Sequence, residues 1–136
     1  MIKEAYVSFE VAKLLKEKGF DEYGMYFYTL KDEGREGYKS NRTLGEFARN
    51  SDPNLKDRAV SCPTHQMAMK WLREKYNIYI SIQPDFPSDK DYKMYWCWSA
   101  NILCENCISM KGYQCYIETY EEACEAAIKY SLENLI

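Results

Sequence analysis

A second histidine, a large surplus of charge of either sign and a long apolar run are what this sequence of 136 residues lacks. His65 is the sole imidazole, so any histidine base must be that residue. Eighteen basic residues against twenty-one acidic ones leave a net charge of −3, and no overall field draws the chain to a phosphate backbone. Generic nucleic-acid binding is disfavoured. No stretch approaches the roughly 18–20 apolar residues of a membrane span. The opening Met1-Ile2-Lys3-Glu4-Ala5 carries no apolar core of signal-peptide length. The expectation is a cytoplasmic protein whose six cysteines are reduced thiols, without a disulfide framework. No internal repeat is visible.

What is present suits a folded domain. Hydrophobic residues make up 46% and charged residues 29%, and the length fits one α+β domain over 1–136. Thirteen tyrosines and three tryptophans are the unusual component, because such rings bury well and also suit binding surfaces.

Ser8 before Phe9 and Gly19 after Lys18 bracket a first helix with an N-cap acceptor and a left-handed exit. Met25 to Leu30 has the aromatic and β-branched content of a strand. A polar segment at about 31–60 follows, in which Thr43 and Glu46 form a capping-box pattern for a short helix through Arg49. A connection of that length is a candidate binding loop. Pro63 opens a second helix, with Met67/Trp71 and Ala68/Leu72 as apolar pairs, and Asn77 closes it. Ile78, Ile80 and Ile82 alternate with polar residues up to Pro84, and 84–91 reads as a turn. Tyr92 to Ile102 is a longer strand whose Met94, Trp96, Trp98 and Ala100 face the helices, and a third strand lies near Tyr113 to Glu118. Thr119 and Glu122 cap the last helix, with Ala123, Cys124, Ala127, Ile128, Leu132 and Leu135 inside. The predicted layout is αβ-loop-αβββα, an antiparallel sheet of three to four strands packed by two to three helices. The first strand is free to extend that same sheet.

Three blocks carry a resemblance. They are Ser8-Phe9-Glu10-Val11-Ala12-Lys13-Leu14-Leu15-Lys16-Glu17-Lys18-Gly19-Phe20, Cys62-Pro63-Thr64-His65-Gln66-Met67-Ala68-Met69-Lys70-Trp71-Leu72-Arg73-Glu74, and Thr119-Tyr120-Glu121-Glu122-Ala123-Cys124-Glu125-Ala126-Ala127-Ile128-Lys129-Tyr130. Together they resemble a group of small uncharacterised proteins of gut Bacteroides-type phages, prophages and mobile elements. The resemblance implies a setting in a bacterial host cell, where small acidic accessory proteins bind and block a host component. It transfers no activity and no catalytic residue. The αβββα order also looks like a double-stranded-RNA-binding domain. That family meets phosphates with lysines at the start of its last helix, where this chain has Glu118, Glu121, Glu122 and Glu125.

Candidate chemistry is sparse. Cys104-Glu105-Asn106-Cys107 is a CxxC, and with Cys97 and Cys115 it offers four thiols for a tetrahedral zinc site. Cys62 and His65 flank a helix start, yet no orienting third group accompanies them, and no catalytic set is assigned. Tyr79 and Tyr95 point away from the tryptophan face, where with Lys93 they form a stacking or cation–π platform. Arg58, Lys70 and Arg73 are the candidate anion-facing edge of that platform. The first expectation is therefore a non-catalytic binding protein of a phage or mobile element, sequestering a nucleotide-like ligand or masking a host protein. A nucleic-acid-binding αβββα module and a small zinc-stabilised domain are the alternatives. No cofactor other than that zinc is expected, and self-association into a homo-oligomer is compatible with an aromatic sheet face in need of cover.

Overall fold

A computed structural model describes residues 1–30, 39–41, 47–55, 57–86 and 93–136. The protein is α+β, with three helices and two three-stranded antiparallel sheets among the described residues. It divides into two compact units, residues 1–64 and 65–136.

The first unit starts with α1, Phe9–Glu17. The Ser8 hydroxyl accepts from the Val11 N–H at 3.2 Å, satisfying one of the amides a helix start leaves open. At the other end Gly19 adopts φ +96°, and the N–H groups of Phe20 and Gly19 return to the carbonyls of Leu15 and Lys16 at 2.8 and 3.1 Å. This pair of bonds is the Schellman closure, which needs a residue free to enter the left-handed region. Val11, Ala12, Leu15 and Phe20 are buried.

Strand β1, Tyr26–Thr29, is the centre of the first sheet, flanked by β2, Lys39–Asn41, and β3, Ala59–Ser61. It does not extend the second sheet; its partners come from within the 31–60 segment and from its C-terminal edge. Those strands are three residues each, too short to show an alternating pattern. The start of the helix expected over 43–49 lies outside the described residues, and Ala48 within it forms an antiparallel bridge with Gly24. Phe27, Ala48 and Leu55 form a small core with Ala59 against it. Asn50, buried, donates from Nδ2 to the Phe20 carbonyl at 2.7 Å and accepts at Oδ1 from the Ser61 N–H at 2.9 Å. One amide thus holds the exit of α1 to β3.

The second unit follows the predicted αβββα order: α2, His65–Tyr76; β4, Ile78–Asp85; β5, Tyr95–Leu103; β6, Ile108–Ile117; and α3, Tyr120–Asn134. Asn77 ends α2 at φ 55°, and the Thr119 hydroxyl caps α3 by accepting from the Glu122 N–H at 3.1 Å. The sheet order is β4-β5-β6. Ile78 pairs with Ile102, Ile80 with Ala100 and Ile82 with Trp98, which sets one apolar face. The helices lie on that face: Trp98 packs on Tyr130 with ring centroids 5.2 Å apart and Trp96 on Tyr120 at 5.3 Å. Trp98 is buried core, as its strand spacing predicts, whereas Trp96 is half-buried and Met94, expected on the same inner face, is exposed. No described helix is long and apolar enough to cross a membrane.

Candidate functional site: the open face of the second sheet

Because α2 and α3 share one face of β4-β5-β6, its other face is open, with Tyr79, Ile108, Met110 and Tyr113 exposed among the described residues. Its members follow from register. Tyr79 opposes Asn101, Ser81 opposes Ser99, Gln83 opposes Cys97 and Asp85 opposes Tyr95. On β6, Ile108 opposes Leu103, Met110 opposes Asn101 and Tyr113 opposes Ser99. Ile108, Met110 and Tyr113 are 66%, 62% and 62% exposed, and Tyr79 and Leu103 are exposed beside them. Asn101 is buried within the sheet, donating to the Tyr79 carbonyl at 3.0 Å and to Ser99 Oγ at 3.1 Å. A shallow hollow of about 240 Å³ is lined by Ser81, Gln83, Cys97, Ser99, Met110 and Tyr113.

Two bulges shape this face. The register slips between Asn101/Met110 and Ala100/Gly112, and again between Trp98/Gln114 and Trp96/Ile117. The first inserts Lys111 and reverses the facing of the β6 residues between the two bulges. Cys115 is thereby carried to the open face opposite Cys97. The two are joined by a disulfide, which corrects the expectation that all six cysteines are reduced thiols. The Tyr113 hydroxyl touches Cys115 Sγ and lies 3.9 Å from Cys97 Sγ. At the second bulge Tyr116 takes φ 63° and meets Tyr95 edge-on, ring centroids 5.4 Å apart.

The residues singled out from sequence separate. Lys93 stands over the Tyr95 ring at 5.1 Å and donates to Glu118 Oε2 at 2.7 Å, and that hydrogen bond raises its pKa above the usual lysine value. Tyr79 is on the same face but six residues along β4 from Asp85, the partner of Tyr95, roughly 20 Å at strand rise. They do not form one pocket. Lys70, ion-paired with Glu74 at 3.9 Å, and Arg73 are on the solvent side of α2, the helix layer rather than the open face. Arg58 belongs to the first unit, exposed in the turn that leads into β3.

Nor do the four cysteines converge. Cys104 and Cys107 close the β5–β6 hairpin, the Cys104 N–H donating to the Cys107 carbonyl at 2.8 Å. Both are free, exposed thiols, and the hydrogen bond to Cys104 pushes the Cys107 pKa up. Seven residues of extended β5 separate Cys104 from Cys97, roughly 23 Å. One tetrahedral site cannot include both ends. Of the remaining thiols, Cys62 is buried with Sγ 3.8 Å from the Val7 carbonyl oxygen, and burial pushes Cys124 up to about 11. His65 Nε2 is 2.7 Å from Glu125 Oε2, while its buried Nδ1 has no hydrogen-bond partner.

Sequence reasoning missed Asp85, whose carboxylate lies within 4.8 Å of the Cys97 and Cys115 sulfurs. The sequence reading placed 84–91 in a turn, whereas β4 runs through Asp85, which pairs with Tyr95.

Comparison with protein-family models, curated proteins and solved structures finds no match.

Proposed function

We propose that the chain is a non-catalytic binding protein that masks a protein partner with the open face of β4-β5-β6, in the accessory or anti-defence setting of a phage or mobile element. The carrying observation is the character of that face: Tyr79, Leu103, Ile108, Met110 and Tyr113 are exposed together. Aromatic residues and methionine are enriched at protein interfaces and charged residues are depleted from their cores, which is the composition found here. Asp85 is the charged member of the β4 positions that face this way. The nucleotide-like ligand is the weaker occupant, because Lys70 and Arg73 ride on the helix layer and the hollow is shallow. Duplex nucleic acid is weaker still, since the first turn of α3 presents Glu121 and Glu122.

The test is capture from a bacterial host lysate by the wild-type chain and by an Ile108→Glu/Met110→Glu variant. Both sites are exposed, so the substitutions should change stability by less than about 0.5 kcal/mol each. Selective loss of one stoichiometric protein partner is expected. Equal capture by both chains, or a retained nucleotide seen by native mass spectrometry, overturns the reading. A mass that doubles with concentration would instead identify a second copy as what covers the face.

A further inference from the structure

We infer that the open face carries a redox-gated site for a thiophilic divalent cation of the zinc class, with Asp85, Cys97 and Cys115 as its ligands. Their three donor atoms, one carboxylate oxygen and two sulfurs, lie within 4.8 Å of one another. They come from three adjacent strands and are brought together by register: Gln83 opposite Cys97, Asp85 two residues further on the same face, and Cys115 turned to that face by the bulge at Lys111.

While the disulfide is intact its sulfurs are neutral and bonded to each other, and they are poor ligands. Asp85 alone then holds nothing. Reduction changes the donor set. A dithiol reductant transfers two electrons and two protons to the Cys97–Cys115 bond, leaving two thiols and closing to its own disulfide. Cation binding then displaces the two thiol protons, because the thiolate is the ligand. Two thiolates and a carboxylate give three protein ligands, and water fills the fourth tetrahedral position. Zinc–sulfur bonds of about 2.3 Å place tetrahedral sulfurs roughly 3.8 Å apart. Side chains whose Cα atoms are 4.1 Å apart reach that spacing by χ1 rotation.

Two surroundings fit the ion. The Tyr113 hydroxyl, already on both sulfurs, becomes a donor to thiolates, the kind of outer contact that orients and tunes metal ligands. Ser81, Gln83 and Ser99 line the adjoining hollow and offer polar partners to the bound water. The inference does not rest on the protein-masking reading, since it is measured on the isolated chain.

The hairpin thiols would compete, so the experiment uses a Cys104→Ser/Cys107→Ser chain. It is reduced with a phosphine, which takes up the oxygen of one water as the disulfide becomes two thiols and does not sequester the metal as a dithiol would. Titration with cobalt(II) should give a thiolate-to-cobalt charge-transfer band that saturates at one ion per chain and is abolished by zinc. The oxidised chain should give none. Asp85→Asn should weaken cobalt binding by at least about tenfold while the band persists. A band in the oxidised chain, no band in the reduced one, or equal affinity in Cys97→Ser/Cys115→Ser overturns the site. If that double variant does not fold, Asp85→Asn decides: with native circular dichroism and unchanged affinity, the three-ligand assignment fails.

Discussion

Tyr130 of α3 lies directly over Gly112 of β6, and its hydroxyl donates to the neighbouring Lys111 carbonyl at 2.7 Å. A Cβ at position 112 would overlap the Tyr130 ring. The absent side chain is therefore what lets α3 seat its tyrosine on the sheet at the bulge. In an ordinary strand, Gly→Ala is favourable, since it removes unfolded-state freedom. Here Gly112→Ala should instead destabilise by about 1–3 kcal/mol, the usual cost of overpacking. Chemical denaturation measures it, and a Tyr130→Ala background should return Gly112→Ala to neutral or better. Equal costs in both backgrounds would show that the ring is not the obstacle.

The same bulge explains what the sequence could and could not show. Helix α1 with its Ser8 and Gly19 ends, α2 ending at Asn77, and α3 from Thr119 are local features, and each was legible. The isoleucines of β4 and the tryptophans of β5 declared their face by alternation. Parity fails once a strand carries an extra residue. Counting back evenly from the Leu103/Ile108 pair, Cys97 would oppose Gln114 and Cys115 would point to the helices. Lys111 shifts the count by one, and nothing about a lysine announces a bulge. β2 and β3 were hidden for a different reason: their residues are polar or few, and their strand state depends on pairing with β1.

Asn50 should be the most sensitive polar residue of the first unit. Its amide serves the Phe20 carbonyl and the Ser61 N–H at once, both from buried positions. Asn50→Ala strands both groups, at about 1–3 kcal/mol for each left unsatisfied. Asn50→Asp keeps an acceptor for Ser61 but sets a carboxylate against the Phe20 carbonyl, so it should be at least as damaging. Urea midpoints of the three proteins give the order. Stability of Asn50→Asp close to the wild type would show that the Phe20 bond is dispensable.

Native thiol reactivity should divide the cysteines by place. Cys104 and Cys107 are exposed thiols at the hairpin, Cys62 and Cys124 are buried thiols outside any disulfide, and Cys97 and Cys115 are joined. Alkylation of the folded, oxidised protein near neutral pH should modify only the hairpin pair. Cys107 should be slower than an ordinary exposed cysteine, because its raised pKa leaves less thiolate. Peptide mapping after a short iodoacetamide pulse reads each site. Rapid labelling of Cys97 or Cys115 would mean the disulfide is not the resting state.

Cys124 predicts how the fold responds to alkali. Burial raises its thiol pKa from 9.0 to about 11, so the folded protein keeps this proton where the unfolded chain has released it. With fewer protons on the unfolded state, stability falls as pH rises, starting near the unfolded value of 9.0 and levelling off above about 11. Burial likewise raises the pKa of Tyr6 and Tyr120, which adds loss of the same sign at higher pH. The contribution of Cys124 is isolated by comparison with Cys124→Ala. That variant forfeits some packing at neutral pH but should lose less stability between pH 9 and 11. Unfolding free energies of the two proteins across that range should therefore converge with rising pH; parallel curves would mean that Cys124 does not hold its proton in the folded state.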